Sequence, residues 1–352
     1  MKRKTGQALA GLRRRVGAND AHRSTRRELL LALGAVALAA PFAAFAQQPP
    51  RPRRIGILLG GTAAASRHQI DAFVQGLNEL GYAEGKNVVI ETRWAEGKID
   101  RFPPLAAELL EQKVEVLFAP SGVAAQAAQN TGTATPIVFA LAPDPVGQGF
   151  GKSLAHLGGN MTGLTSSHGE LSAKRVELLK EAFPKIRRLA VLYFVAPSAA
   201  GVPEQLAETE RAAKKLGIAV TTEESPRPDD FARAFASMRK QRPDALVVIE
   251  NPMFFANRAR LAELAAELRV PAIYNVAEYV ESGGLMSYGA SYADLIRRAA
   301  AHVAKILNGT KPGDLPIEQP TRFELAINMK TARALGIKIP QTVLVLATRV
   351  IE

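Results

Sequence analysis

The chain has 352 residues, 47% hydrophobic and 22% charged, so it is long enough for two domains with a large core. Much of its net charge of +12 lies in residues 1–46, which hold nine Lys or Arg and two Asp or Glu. The remainder is mildly basic and has no basic stripe interleaved with aromatic residues, so we expect no nucleic acid partner. The absence of cysteine excludes thiol catalysis, disulfides and cysteine-based zinc sites.

The first 46 residues have the three parts of a secretory signal. A basic region precedes the uncharged run Leu29–Ala40, and the small-x-small sequence Ala44–Ala46 follows. We therefore predict a signal peptide over residues 1–46, cleaved after Ala46. Thr25–Leu30 also resembles a twin-arginine signal. An uncleaved membrane anchor is the alternative, because the apolar stretch is just long enough to span a bilayer.

The mature chain begins with an apolar run that ends in small residues. Arg54–Leu59 shows no polar alternation, which is typical of a strand buried on both faces of a parallel sheet. Gly61 and Thr62 then lie in a turn at the carboxyl end of this strand, where open α/β sheets bind their ligands. A helical pattern over Ser66–Leu80 follows.

The same strand-turn-helix unit recurs to the end of the chain. The predicted strands are Arg54–Leu59, Asn87–Arg93, Val114–Phe118, Ile137–Leu141, Leu189–Phe194, Ile218–Thr222, Ala245–Glu250, Pro271–Asn275 and Phe323–Asn328. The predicted helices are Ser66–Leu80, Arg101–Gln112, Val123–Gln129, Ser172–Phe183, Pro203–Leu216, Asp229–Lys240, Arg258–Leu268, Asp294–Leu307 and Met329–Leu335. The glycine-rich residues 158–163 and 283–289 are interpreted as crossings, the second of which includes a strand. This alternation predicts an α/β fold with two lobes of similar build.

Seven short motifs are spread along nearly the whole mature chain. They are Phe73-x-x-Gly76-Leu77, Gly81–Val88, Arg93–Gly97, Asp144–Val146, Gly158–Gly163, Gly283–Gly289 and Gln319–Asn328. In combination they resemble the ABC-transporter substrate-binding proteins of the tryptophan/tyrosine-binding type.

The resemblance implies a type I periplasmic-binding-protein fold, in which two doubly wound parallel-sheet lobes are joined by three hinge strands. On this basis we expect lobe 1 to comprise residues 53–162 and 285–317, and lobe 2 residues 163–284 and 318–352, with approximate hinge boundaries. The implied protein is a periplasmic, monomeric receptor without a cofactor or metal. It would deliver its ligand to the membrane permease and ATPase subunits of an ABC importer.

Candidate ligand contacts in lobe 1 lie at the carboxyl ends of the predicted strands. Ser121, Gly122 and Val123 begin a helix of small residues, whose free N–H groups can hold a carboxylate. Asp144 stands between two prolines and can pair with an ammonium group, or it can make a local turn hydrogen bond instead. Thr62, after Gly61, is placed to donate a hydroxyl.

Lobe 2 offers apolar and aromatic candidates. The segment Asn251–Phe255 follows a strand and can cover a ligand side chain, although a core role suits one of its phenylalanines equally; Asn251 and Phe254 are the candidate contacts. Tyr274 ends the next strand, and Glu278 follows it closely and can meet an ammonium group. Tyr288 follows the second crossing, near the hinge. We expect at least one of three tyrosines, Tyr274, Tyr279 and Tyr288, to stack on the ligand and one to be structural.

The sequence lacks recognisable catalytic patterns. Residues 146–153 nearly match a phosphate loop but carry Val146 in place of the first glycine, and there is neither a GxSxG elbow nor HExxH spacing. We therefore expect no enzyme but a receptor for a small zwitterionic or carboxylated molecule, with aromatic amino acids as candidates. The alternatives are a sensor that signals to a membrane receptor and a secreted α/β enzyme.

Overall fold

A computed structural model describes residues 51–155, 158–166, 168–195, 201–249 and 251–352, with only the backbone of residues 168–170. The predicted signal peptide and its cleavage site lie outside these ranges. In the described part of the chain, no helix is long and apolar enough to cross a membrane.

Five parallel strands form the first sheet, in the order β2-β1-β3-β4-β5. They are β1 (Arg53–Leu59), β2 (Val88–Trp94), β3 (Val116–Phe118), β4 (Ile137–Ala142) and β5 (Met161–Thr165). The helices associated with this sheet are α1 (Arg67–Glu79), α2 (Phe102–Glu111), α3 (Gly122–Gln129) and α10 (Tyr292–Leu307). The apolar residues of β1 are buried, as its unbroken hydrophobic run predicts. We call this sheet and its helices lobe 1.

Seven strands form the second sheet, in the order β12-β11-β10-β9-β8-β6-β7. They are β6 (Arg188–Tyr193), β7 (Ala219–Glu224), β8 (Ala245–Val248), β9 (Ala272–Tyr274), β10 (Met286–Ala290), β11 (Phe323–Asn328) and β12 (Arg349–Ile351). The remaining helices are α4 (His168–Ala182), α5 (Val202–Lys215), α6 (Phe231–Gln241), α7 (Pro252–Ala256), α8 (Arg258–Leu268), α9 (Ala277–Glu281), α11 (Met329–Leu335) and α12 (Gln341–Leu346). We call this sheet and these helices lobe 2.

The chain passes between the two sheets at three places: after β5, between β10 and α10, and before β11. β10 leaves lobe 2 and β11 returns to it, so these two strands pair antiparallel, whereas the other pairs in this sheet are parallel. An isolated bridge between Leu164 and Glu318 joins two of the crossing segments. Three adjacent crossings are the arrangement that lets two lobes rotate about a common hinge.

The predicted lobe boundaries differ from the observed strand pairing. Residues 286–290 form β10 of the second sheet, whereas the sequence prediction placed them in lobe 1. Residues 161–165 form β5 of the first sheet, so the predicted boundary after residue 162 cuts through a strand. Strand β5 was missed in the sequence because its glycine-containing start was interpreted as a crossing. Gly163 has φ +156°, and a Cβ there would lie 2.0 Å from the carbonyl oxygen of Phe139.

Candidate functional site

A cleft between the carboxyl-end loops of the two sheets is the candidate site, with an empty volume of about 780 Å³ including its mouth open to solvent. Lobe 1 contributes Gly60, Gly61, Gln69, Pro120, Ser121, Gly122, Val123, Leu141, Pro143 and Gln148. Lobe 2 contributes Val202, Gln205, Asn251, Pro252 and Phe255, and Tyr292 is the first residue of α10. The structure thus brings Gly61, Ser121, Gly122, Val123 and Asn251 of the predicted residues together in one wall.

The amino terminus of α3 forms the centre of the lobe 1 wall. Ser121 has an extended backbone, and its Oγ accepts a hydrogen bond from the N–H of Ala124 at 3.2 Å. This cap leaves the N–H groups of Gly122 and Val123 without an intrahelical acceptor. Together with the helix dipole, they form a partly positive surface that suits an anionic group.

The loop after β4 places Gln148 against this helix terminus. Asp144 Oδ1 accepts from the N–H of Gly147 at 2.8 Å, and the Asp144 carbonyl accepts from the N–H of Gln148 at 2.9 Å. A Cβ on Gly122 would lie 2.4 Å from Gln148 Nε2, so a larger residue there would displace the Gln148 amide from its present position. Asp144 therefore makes the local turn hydrogen bond that the sequence allowed and is not among the residues of the described wall, and its contact with a ligand ammonium group stays a prediction.

Thr62 also has a local role. Its Oγ1 accepts from the N–H of Ala65 at 3.2 Å, and its side chain lies outside the wall. Gly61 does line the cleft, and a Cβ there would lie 2.6 Å from Ser66 Oγ. The turn after β1 thus contributes backbone rather than a hydroxyl group.

Three amide side chains dominate the polar part of the remaining wall. Asn251 Oδ1 caps α7 by accepting from the N–H of Phe254 at 2.9 Å, and its Nδ2 is buried without a hydrogen-bond partner. Gln205, which is 1% exposed, accepts at Oε1 from Asn275 Nδ2 at 3.3 Å. On the lobe 1 side, Gln69 starts the buried face of α1.

The aromatic part of the wall is formed by Phe255 and Tyr292, whose ring centroids are 6.3 Å apart. The guanidinium carbon of Arg258 lies 4.7 Å from the centroid of the Phe255 ring, a cation–π contact. Phe254 is fully buried and packs edge-on against Phe231 in the core. The structural role was therefore the correct one for Phe254, and its neighbour Phe255 lines the cleft.

Tyr274, Glu278 and Tyr288 do not line the cleft. Tyr274 is fully buried and stacks on Tyr279 with 4.7 Å between centroids; burial raises the pKa of its hydroxyl. Glu278 reaches lobe 1, where its Oε1 lies 3.5 Å from Nε2 of His68. Tyr288 packs against the lobe 2 core, and its carbonyl accepts from Arg175 Nε at 2.9 Å. Tyr274 on β9 and Tyr288 on β10 are thus directed into packing, and Glu278 on α9 toward His68, rather than toward the loop ends that form the cleft.

Sequence reasoning missed Gln69, Gln148, Gln205 and Tyr292. Phe255 lay within the segment Asn251–Phe255 that was expected to cover a ligand side chain, but its neighbour Phe254 was chosen as the candidate contact. The glutamines had no comparable indication, since a neutral amide on a helix or loop is usually a surface residue.

The described wall contains no Asp, Glu, Lys or Arg. Among the described residues there is no cluster of His, Asp and Glu that could hold a metal ion. Hydrogen-bond donors, amides and two aromatic rings are suited to binding a small polar molecule with an apolar part.

Several contacts cross from lobe 1 to lobe 2 around the cleft. A Cβ on Gly60 would lie 3.3 Å from the Cβ of Pro252, and one on Gly201 would lie 2.9 Å from Pro143. Arg258 Nη2 donates to the carbonyl of Ala65 at 3.5 Å, in addition to the contact of His68 with Glu278. The lobes therefore touch on more than one side of the cleft.

Comparison with known proteins places these features in a family. The chain is 27% identical over 266 residues to a protein named tyrosine-binding protein from Clostridioides difficile. The aligned residues cover 76% of each of the two chains. It matches the structure of an ABC domain in complex with L-Trp from Streptococcus pneumonia with a TM-score of 0.77 and 26% identity, over 85% of this chain and all of that one.

A third comparison concerns a different state of such a protein. The ligand-free, open structure of a substrate-binding protein with adhesive properties from Clostridium difficile matches with a TM-score of 0.60 and 26% identity, over 82% of this chain and 96% of that one. The sequence model of a family described as ABC transporter substrate binding protein matches residues 60–351. The chain belongs to this family of ABC transporter substrate-binding proteins.

Proposed function

We propose that this protein is a periplasmic receptor of an ABC importer and that it binds an aromatic L-amino acid. The observation that carries the proposal is the cleft wall, which combines unpaired helix N–H groups, neutral amides and the ring pair of Phe255 and Tyr292. The tyrosine-binding protein of Clostridioides difficile and the L-Trp complex from Streptococcus pneumonia support the same ligand class.

In this proposal the ligand carboxylate lies at the amino terminus of α3. The N–H groups of Gly122 and Val123 donate to it, so a basic side chain is unnecessary. The ligand ring packs beside Phe255 and Tyr292, where offset or edge-on contact adds to the burial of apolar surface. Gln148 Oε1, which is buried without a partner, accepts from the ligand ammonium group.

Ligand binding would favour the closed arrangement of the lobes because the two halves of the site come from different lobes. A ligand that touches both gains its full set of contacts only when they close, and this differential affinity shifts the population. The TM-score is higher against the L-Trp complex than against the open, ligand-free structure, which supports a closed arrangement here. Closure would present the outer faces of both lobes to the permease.

The test is isothermal titration calorimetry of the mature protein with L-tryptophan, L-tyrosine, L-phenylalanine, tryptamine and L-alanine. We expect the aromatic amino acids to bind and tryptamine, which lacks the carboxylate, to bind at least roughly a hundredfold more weakly. Gly122→Ala, whose methyl group displaces Gln148, should abolish binding, whereas Asn130→Ala at the exposed end of the same helix should not. Absence of binding by every amino acid, or chemical conversion of the ligand, would contradict the proposal.

The transport part of the proposal needs a separate measurement. Permease and ATPase subunits encoded beside this protein would be reconstituted in liposomes, with the receptor and radiolabelled ligand outside. We expect ATP-dependent uptake only when the receptor is present. Ligand binding without uptake would instead favour a sensor.

A further inference from the structure

We propose that Gln205, oriented by Asn275, is the lobe 2 donor that contacts the ligand carboxylate and restricts the site to ligands with a free carboxylate. This inference rests on the proposed function and concerns the chemistry of the same cleft. Gln205 belongs to lobe 2 and Ser121 to lobe 1, so the two would hold one anionic group from both sides.

The first support is the orientation of the Gln205 amide. An amide has one accepting and one donating end, and its neighbours decide which end faces a site. Asn275 Nδ2 donates to Oε1 of Gln205 at 3.3 Å, which leaves Nε2 as the end that is free for the cleft. No hydrogen bond to Nε2 is formed within the described residues, and Gln205 lines the cleft. This donor is therefore available to an acceptor on the ligand.

The second support is the setting of Gln205 in the first turn of α5. Gly201 caps this helix with φ +97° and has no side chain to accept from the first-turn N–H groups. Val202 and Gln205 both line the cleft, and Gly201 packs against Pro143 of the loop that carries Gln148. The amino termini of α3 and α5 therefore both border the cleft, and their dipoles favour the same anionic ligand group.

The third support is the fixed position of Asn275. It follows β9, its side chain is fully buried, and its backbone carbonyl lies close to β10. A Cβ on Gly289 would be 1.9 Å from that carbonyl oxygen, so the two strands approach closely only because residue 289 is glycine. Asn275 is thus a positioning residue, which acts on the ligand through Gln205.

Exchange of donors and acceptors tests this assignment. In Asn275→Asp, the new carboxylate accepts from Nε2 of Gln205, which turns Oε1 toward the cleft. In Gln205→Glu, a carboxylate faces the ligand directly. Both changes should disfavour L-tryptophan and favour L-tryptophanamide, whose terminal amide can donate. Gln205→Met removes both functions and should weaken the two ligands more equally.

The measurement is the ratio of the dissociation constants of L-tryptophanamide and L-tryptophan for each variant, with thermal unfolding as a check of folding. We expect the ratio to fall by roughly tenfold to a hundredfold in Asn275→Asp and Gln205→Glu, and to stay unchanged in Asn130→Ala. Equal weakening of both ligands would show a merely structural role and overturn the assignment. Wild-type protein that binds neither ligand would overturn the proposed function, and this inference with it.

Two variants keep the test decisive if one of them does not fold. Asn275→Asp buries a carboxylate away from the ligand, whereas Gln205→Glu places it at the cleft, so their folding defects would be independent. A lowered ratio in every variant that folds supports the assignment. An unchanged ratio in any folded variant contradicts it.

Discussion

His68 on α1 and Glu278 on α9 make a contact that links the two lobes, with 3.5 Å between Nε2 and Oε1, and this contact is an ion pair when the imidazole is protonated. The His68 side chain is 37% exposed and that of Glu278 11% exposed, so solvent weakens this interaction. The pair exists only when the lobes are together, and we infer that it contributes to the closed state.

Glu278→Gln should therefore weaken ligand binding modestly, by up to about fivefold, because a partly exposed pair is worth at most about 1 kcal/mol. Titration calorimetry gives the dissociation constant, and small-angle scattering gives the radius of gyration with and without ligand. Glu281→Gln, which breaks a pair with Arg349 inside lobe 2, is the control and should not change binding. Loss of more than about a hundredfold would indicate direct ligand contact instead.

Asp144 should matter for the shape of its loop and not for its charge. Asp144→Asn keeps an oxygen that can accept from Gly147, so we expect binding within about threefold of wild type. Asp144→Ala removes the acceptor, frees the loop that places Gln148, and should weaken binding by roughly tenfold. Calorimetry on both variants checks this. A large loss in Asp144→Asn would restore the ammonium contact predicted from the sequence.

Gly76 allows the close approach of α1 and α10. A Cβ at this position would lie 2.3 Å from the carbonyl oxygen of Arg297 and 2.9 Å from the Cβ of Ala300. Alanine has the higher helix propensity, yet overpacking of this kind costs about 1–3 kcal/mol. We expect Gly76→Ala to lower the free energy of unfolding in urea, whereas Gln75→Ala on the exposed face should change it little. A more stable Gly76→Ala protein would contradict the packing.

His302 should make lobe 1 less stable in acid. Burial of its ring lowers its pKa from the ordinary 6.5, and this effect outweighs the opposing influence of the Pro316 carbonyl and Glu318. Below pH 6.5 the unfolded chain binds a proton that the folded protein still excludes, so stability falls from there down to the folded pKa. The melting temperature of wild type should drop between pH 7 and pH 5. The drop should be smaller in His302→Gln, and identical slopes would exclude this residue as the cause.

Much of the fold could be predicted from the sequence because the hydrophobic patterns of its strands and helices are strong. β1, α8 and β11 were predicted within a residue of their observed bounds, since each combines an apolar pattern with clear flanking residues. β5 was missed because a glycine that permits strand contact resembles a glycine in a turn. The five-residue helices α7 and α9 are too short to show a helical period.

The sequence predicted which loops form the candidate site but not which of their side chains line it. Ser121 was identified because a serine between a buried strand and a helix is typical of a helix N-cap, whose position at the end of the strand is fixed. Asp144, Tyr274 and Glu278 were selected for their chemistry, but Asp144 accepts a turn hydrogen bond, the Tyr274 ring stacks on Tyr279 in the core, and Glu278 contacts His68. Gln205 and Asn275 depend on a tertiary contact 70 residues apart in the chain, which no local pattern reveals.

The described wall of the cleft offers a ligand helix dipoles and amide groups rather than ionic side chains. Mobile ions screen exposed charges strongly but reach buried dipoles poorly. We therefore expect ligand affinity to change by less than about threefold between 10 mM and 500 mM sodium chloride, as measured by calorimetry. A cleft of this kind would hold its ligand about equally well at low and at high ionic strength.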